Sequence, residues 1–135
     1  ALLSLIKDLA VYEKEPEAVI ITEQTLLEDG FGKNPLFEFL VAEQNNEVVG
    51  IALYYTKYST WKGRCLYLED IVVKASERQK GIGSLLLLKL KEIAEKEGVK
   101  RLEWQVLEWN ESAISFYKKH GAVIDTEWYN CKFEY

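Results

Sequence analysis

Three patterns in this chain predict a mixed α/β fold: a mostly antiparallel central sheet that contains one parallel β-α-β unit, with helices on both faces. The apolar run Ile71-Val72-Val73 leads through the turn Arg78-x-x-Gly81-x-Gly83 into Leu85-Leu86-Leu87-Leu88, the order of a strand, a tight turn and a helix. Two strand-like segments flank Gln44-Asn45-Asn46, and asparagines tolerate the positive φ of a tight hairpin. Residues 64–73 are apolar on both parities, with Cys65, Tyr67 and Ile71 against Leu66, Leu68 and Val72, as in a central strand covered on both sides.

The elements follow in order. The chain opens Ala1-Leu2-Leu3-Ser4-Leu5-Ile6, and Leu2, Leu5, Ile6 and Leu9 share one face of an amphipathic helix that no capping residue precedes. Residues 13–17 are polar and interrupted by Pro16, a loop. Thr22 caps a short helix through Leu26 and Leu27 that ends at Gly30. Strands are predicted over 37–42 and 47–55 as an antiparallel hairpin. A helix over 83–97 is apolar at Leu86, Leu90, Ile93 and Ala94, and Gly98 stops it. Residues 101–107 form a parallel strand, reached by a right-handed crossover whose ligand lies at the carboxyl ends of the strands. Asn110 caps a helix over 112–120 that Gly121 ends, and 122–125 with 128–135 read as a closing hairpin rich in aromatic residues.

A chain of 135 residues, 48% apolar and 13% aromatic, suffices for one core and is too short for two ordinary domains, so residues 1–135 are expected to form a single domain. No run approaches the ~18 apolar residues of a membrane span, and the start lacks the basic stretch and cleavage site of a secretory signal. A soluble, cytoplasmic protein is expected. A net charge of −5 argues against nucleic acid or an anionic membrane as partner and suits a cationic substrate. Cys65, Cys131 and the single His120 match no metal-site spacing, so no metal is expected and both cysteines are read as reduced and buried. His120 follows Lys118 and Lys119 at a helix end, where a cation suits the dipole, and is read as structural.

Several residues can carry chemistry. The turn at Arg78, Gln79, Lys80, Gly81, Ile82, Gly83 and Ser84 is either a plain surface loop or an anion cradle of backbone amides, a helix N-terminus and two cations. Glu69 and Asp70 interrupt an otherwise apolar strand, where ionised carboxylates are unfavourable unless paired, hydrated or in use. They are either salt-bridged to Arg64, Lys74 or Arg78, exposed by a strand break, or functional. In Ser115-Phe116-Tyr117-Lys118 an aromatic residue is expected to pack on the sheet, a role that suits Phe116 better than Tyr117.

Together these motifs resemble the GNAT superfamily of N-acetyltransferases, whose coenzyme A pyrophosphate loop reads Arg or Gln, two residues, Gly, one residue, Gly or Ala; Gln79 departs from the glycine often found there. Leu66-Tyr67-Leu68-Glu69-Asp70, Glu108-Trp109-Asn110-Glu111, Phe116-Tyr117-Lys118 and Leu26-Leu27-Glu28-Asp29-Gly30-Phe31-Gly32 are similar to the diamine (spermidine/spermine) acetyltransferase branch, so the likeness spans nearly the whole chain. The resemblance implies the GNAT fold, acetyl-CoA as cosubstrate, a small cationic amine as acceptor and a homodimer, for which the aromatic C-terminal segment with Trp128, Tyr129, Phe133 and Tyr135 is the expected contact surface. It also implies a strand ahead of the opening helix, so this chain is expected to lack the family's first N-terminal strand.

The same resemblance implies roles. Glu69 binds the amine and helps remove its proton, Asp70 supports the positive charge, and Tyr117 protonates the departing thiolate. An amine of pKa ~10.4 is mostly ammonium at pH 7, and exposing its lone pair costs about 4.6 kcal/mol. Backbone groups of Ile71 and Val73 pair with the pantetheine arm, residues 79–84 hold the pyrophosphate, and Asn110, Ser112 and Ala113 match a second cofactor segment, although Asn110 reads equally well as a helix cap alone. Tyr12 and Glu13 line the amine channel, and Glu103, Trp104 and Gln105 form another substrate segment; each reads equally as ordinary surface. Trp61 also matches, whereas Ser59 stands where polyamine enzymes often carry Asp, which favours a shorter amine. Two alternatives stay open: acetylation of a lysine-like (thialysine-type) amino acid or a protein amine, for which the sequence offers no evident cationic anchor for a carboxylate, and a non-catalytic acyl-CoA sensor. A nucleotide-hydrolysing loop is disfavoured, since no Gly-Lys-Ser/Thr follows the first glycine at the required spacing.

Overall fold

The computed structural model describes residues 2–135; Ala1, first residue of the predicted opening helix, lies outside the described residues. The chain divides into two compact units, one ending at Gln105 and the other spanning Val106–Tyr135.

The first unit is built on a sheet of order β1-β2-β3-β4. Strands β1 (Glu38–Gln44), β2 (Glu47–Ser59) and β3 (Gly63–Val73) pair antiparallel, and β4 (Leu102–Glu103) joins β3 in parallel. The β1–β2 turn is the predicted one: Asn45 and Asn46 have φ of 52° and 63°, the left-handed pair that a two-residue hairpin requires. At the β2–β3 turn, Ser59 Oγ accepts the N–H groups of Trp61 and Lys62.

Helices α1 (Leu2–Tyr12) and α3 (Ile82–Glu97) cover opposite faces of this sheet, as the two-parity pattern of β3 predicts. Leu5 of α1 clusters with Ile51 and Val72, joined by Leu2, Ile6 and Leu9. The neighbouring position Gly50 faces the other way, where an added Cβ would lie 3.2 Å from Ile82 Cγ2 and Leu86 Cδ1 of α3. Leu86, Leu87, Leu90 and Ala94 form the buried stripe of α3, Leu87 replacing the predicted Ile93, and Gly98 ends the helix at φ 71°. Helix α2 (Glu23–Phe31) starts at Thr22, whose hydroxyl accepts from Thr25 N in a capping box. It runs past the predicted stop at Gly30 to Phe31 because Gly30 serves packing instead: an added Cβ would meet Phe37 Cζ at 2.5 Å.

Two strand predictions need correction. The parallel strand is not 101–107 but Leu102–Glu103 alone, paired with Leu66 and Tyr67. Pairing stops where β3 bulges at Glu69, and a bulge bends its strand away from a straight neighbour. The closing hairpin is absent: residues 122–135 form no strand. Aromatic β-propensity expresses itself only against a cross-strand partner, and Trp128, Tyr129, Phe133 and Tyr135 stand exposed without one. Cys131 is likewise exposed, against the expectation that both cysteines are buried; Cys65 is fully buried as expected.

In the second unit, α4 (Glu111–Lys119) begins one residue earlier than predicted and ends in Gly121 at φ 87°. Its most buried residue is Tyr117, while Phe116, expected to be the packing residue, is half-buried between Tyr117 and His120 at ring distances of 5.4 and 4.8 Å.

Gly30→Ala tests the α2 packing. Helix propensity alone would make the change favourable by about 1 kcal/mol, but the clash with the Phe37 ring should reverse the sign to a destabilisation of about 1–3 kcal/mol in urea unfolding. Pairing it with Phe37→Leu should recover most of the loss.

Candidate active site

The bulge in β3 organises the candidate site. Asp70 pairs with Leu53 and Leu68 with Tyr54, so Glu69 is the extra residue between them. Before the bulge, Arg64 O accepts from Lys100 N and Leu66 N donates to Arg101 O, so the even residues face β4. After it, Lys74 N donates to Val49 O, so the even residues face β2. The extra residue has exchanged the parity. The peptide groups of Ile71 and Val73 therefore point to the edge that β4, ending at Glu103, leaves open. An extended ligand can add there as a further strand, at Ile71 and at the N–H of Val73, whose carbonyl already accepts from Arg78 Nε.

Glu69 is exposed and accepts a hydrogen bond from Tyr55 Oη at 3.1 Å. Asp70 is half-buried on the face that carries α1, and burial, followed by the charges of Glu69 and Glu13, pushes its carboxyl up to about 7. Glu13, just past the end of α1, is raised by burial as well. Burial and then the Glu69 carboxylate push the Tyr55 hydroxyl up to about 12, which keeps it a donor. The cations that the sequence offered as neutralising partners are engaged elsewhere: Arg64 with Glu97, Lys74 with Glu47, and Arg78 through Nε with Val73 O at 3.1 Å. Glu13, Glu69 and Asp70 thus form an acidic wall ready for a cation.

The turn beside it is shaped for an anion. Gln79 and Gly81 both have left-handed φ, 65° and 83°, and α3 starts at once with Ile82. The first intrahelical bond runs from Leu85 N to Gly81 O, so the amides of Ile82 and Gly83 stand ahead of the ladder, at the positive end of a 16-residue helix. Among the described residues, nothing beyond its own chain neighbours lies within 4 Å of where a Gly81 side chain would begin. Lys80 is held by Glu77 at 2.8 Å, and the Arg78 guanidinium lies 5.3 Å from the Tyr12 ring centroid. The positive φ of Gln79 explains why glycine suits that position. A diphosphate fits this cradle of backbone amides, left-handed turns and two cations.

The predicted substrate segment divides. Glu103 is the β4 partner of Tyr67 and is ion-paired with Lys57 and Arg101; burial raises its pKa, but the two hydrogen bonds outweigh that and hold it low. Trp104 and Gln105 follow beyond the last paired residue. Trp61 is exposed at the tip of the β2–β3 turn. Sequence reasoning missed Lys57, Tyr55 and Tyr67, which adjoin Glu69 and Glu103; the alternation Tyr55-x-Lys57 within one strand was the available signal. In the second unit, Asn110 Oδ1 accepts Ala113 N at 3.2 Å, so Asn110 is a cap, and Ser112 and Ala113 lie in the first turn of α4. Tyr117 is buried in the last turn of α4.

The Acetyltransferase (GNAT) family profile matches residues 3–122. This chain belongs to the GNAT acetyltransferase family. It is an amine N-acetyltransferase with acetyl-CoA as cosubstrate. The Bos taurus thialysine N-epsilon-acetyltransferase is 46% identical, over 98% of this chain and 85% of that protein. The Homo sapiens spermidine/spermine N(1)-acetyltransferase-like protein 1 is 40% identical over 90% of this chain and 19% of that longer protein. Among solved structures, an integron cassette protein from the mobile metagenome of V. cholerae superimposes with a TM-score of 0.80 at 29% identity, covering 98% of this chain and 84% of that one.

Asp70 sets a pH dependence of defined sign. Its folded pKa, about 7, lies above the unfolded value of 3.8, so the native state holds the proton more tightly and stability falls as pH rises through that window. Asp70→Asn should abolish the fall and be more stable than the parent at pH 8, by on the order of 1–2 kcal/mol after solvent screening, in urea unfolding compared with pH 5. Since only ionised Asp70 attracts a cation, KM for an amine should drop as pH rises through about 7. Glu13→Gln should shift that inflection downward.

Proposed function

We propose that this enzyme transfers the acetyl group of acetyl-CoA directly to the primary amine of a small cationic metabolite, a diamine or a lysine-like amino acid. The observation that carries the reading is the unneutralised carboxylate pair Glu69–Asp70 next to the open edge at Ile71 and Val73. The relatives named for thialysine and for spermidine/spermine support an amine of this size.

In this reading the diphosphate of the cosubstrate rests on the amides of residues 79–84 with Arg78 and Lys80 beside it, Asn110, Ser112 and Ala113 supply the second cofactor segment, and the pantetheine amides pair with Ile71 and Val73. Tyr12, Glu13 and Asp70 draw in the ammonium, Trp104 and Gln105 border it, and Glu69 takes up the proton that leaves it, directly or through water. The free amine attacks the thioester carbonyl, the C–N bond forms, and the C–S bond breaks. Tyr117 gives its proton to the departing thiolate, and the second proton shed by the nitrogen as the amide forms restores the Tyr117 hydroxyl, directly or through water. Holding both reactants at once supplies the geometry, so no acyl-enzyme is needed. A homodimer through the exposed aromatic segment around Trp128 and Tyr129 belongs to the same proposal, and a cytoplasmic setting fits two free cysteines, one of them exposed.

A thiol-release assay with acetyl-CoA across spermidine, putrescine, lysine analogues and a peptide tests the reading. Turnover with a small amine and intersecting initial-velocity lines are expected; coenzyme A binding in calorimetry with no turnover on any amine would mean an acyl-CoA sensor instead. Tyr117→Phe should lower kcat by about a hundredfold with little change in the KM for acetyl-CoA.

A further inference from the structure

The sheet face that carries α1 continues beyond the helix as a strip of opposite-charged ends. Alternation along β2 puts Ile51, Leu53, Tyr55 and Lys57 on this face, with Val72, Asp70, Tyr67 and Cys65 as their partners on β3. At one end stand Glu69, Asp70 and Glu13. In the middle, the Tyr55 and Tyr67 rings lie 5.3 Å apart. At the other end, Lys57 Nζ sits 5.2 Å from the Tyr67 ring centroid and is ion-paired with Glu103, whose second oxygen takes Arg101 Nη1 at 2.9 Å. Two cations therefore share one carboxylate, and Lys57 keeps 48% of its side chain exposed.

We propose that Lys57 and Glu103 form a subsite that reads the zwitterionic head of an α-amino acid whose distal amine lies at Glu69 and Asp70. The inference rests on the amine-acetyltransferase reading above and selects among its substrates. Lys57, aided by Arg101, takes the α-carboxylate, and Glu103 takes the α-ammonium: the ion pair exchanges internal partners for those of the ligand. Lys57 is half exposed while Glu103 is mostly covered, so the exchange keeps its stability only because the ligand's two charges replace both internal partners.

Lengths agree. Lys57 stands four residues along β2 from Leu53, the partner of Asp70. That is about 13 Å between backbone positions, with Lys57 Nζ reaching back over the Tyr67 ring, which puts an extended ligand of about 7 Å within reach of side chains at both ends. A lysine-like chain spans six bonds from its distal nitrogen to its carboxylate carbon, also about 7 Å when extended. A diamine of that length would bring a second ammonium to a place where two cations already share one anion, which is unfavourable.

The test compares L-lysine, or thialysine, with the diamine that decarboxylation of lysine would leave, by thiol release from acetyl-CoA with the whole chain. In Lys57→Gln, the ratio of kcat/KM for the amino acid to that for the diamine should fall by about tenfold to a hundredfold, chiefly through KM, as expected when a charge-assisted contact is lost. Lys57→Arg keeps the charge and should retain most of the ratio. Turnover of both substrates with an unchanged ratio in Lys57→Gln would overturn the subsite while leaving the amine-acetyltransferase reading intact. Absence of thiol release with either substrate in the unsubstituted enzyme would overturn both.

Discussion

One extra residue in one strand governs this site. Glu69 opposes nothing on β2, and its insertion does three things at once. It exchanges which peptide groups of β3 face the open edge, so that Ile71 and Val73 present theirs there. It coincides with the end of pairing to β4, which leaves that edge open. It also puts a carboxylate on an exposed bend, beside a half-buried neighbour that remains on the α1 face. A regular strand would bury one carboxylate on each covered face and turn the same peptide groups toward β2, where they would meet a ladder already in place.

Electrostatics follows from that geometry. Asp70 is disfavoured as an anion by burial and by two like charges, and Arg64 and Lys74 are paired with Glu97 and Glu47, so below about pH 7 it relieves the repulsion by holding a proton. In the proposed reading, binding energy for an ammonium comes from relief of repulsion as well as from attraction. Past the end of β3, the turn at residues 79–84 offers the opposite sign, through backbone amides and the end of a long helix, at little side-chain entropy.

Much of this was legible in the sequence, for identifiable reasons. The Asn45-Asn46 turn, the Thr22 cap, the Gly98 stop and the two-parity pattern of β3 are local signals, and each acts through the backbone of its own segment. The carboxylates of Glu69 and Asp70 drew attention because they sat in an apolar run. What the sequence hid was set by partners: β4 shrank to two residues because its neighbour bends, the aromatic segment 122–135 found no strand to join, and Gly30 continued a helix because a ring from another segment occupies its side. Lys57 was hidden for the same reason. Its significance lies in Glu103, 46 residues away in the chain, and no local pattern links the two.

The guanidinium of Arg78 stands between two claims, the face of Tyr12 on one side and the anion cradle it borders on the other. If the proposed roles hold, whatever draws Arg78 off the ring would change the hold of Tyr12 on an amine by the same factor with which that amine changes the hold on the anion. In that reading the order in which the two reactants arrive is open to tuning at a residue that touches no reacting bond.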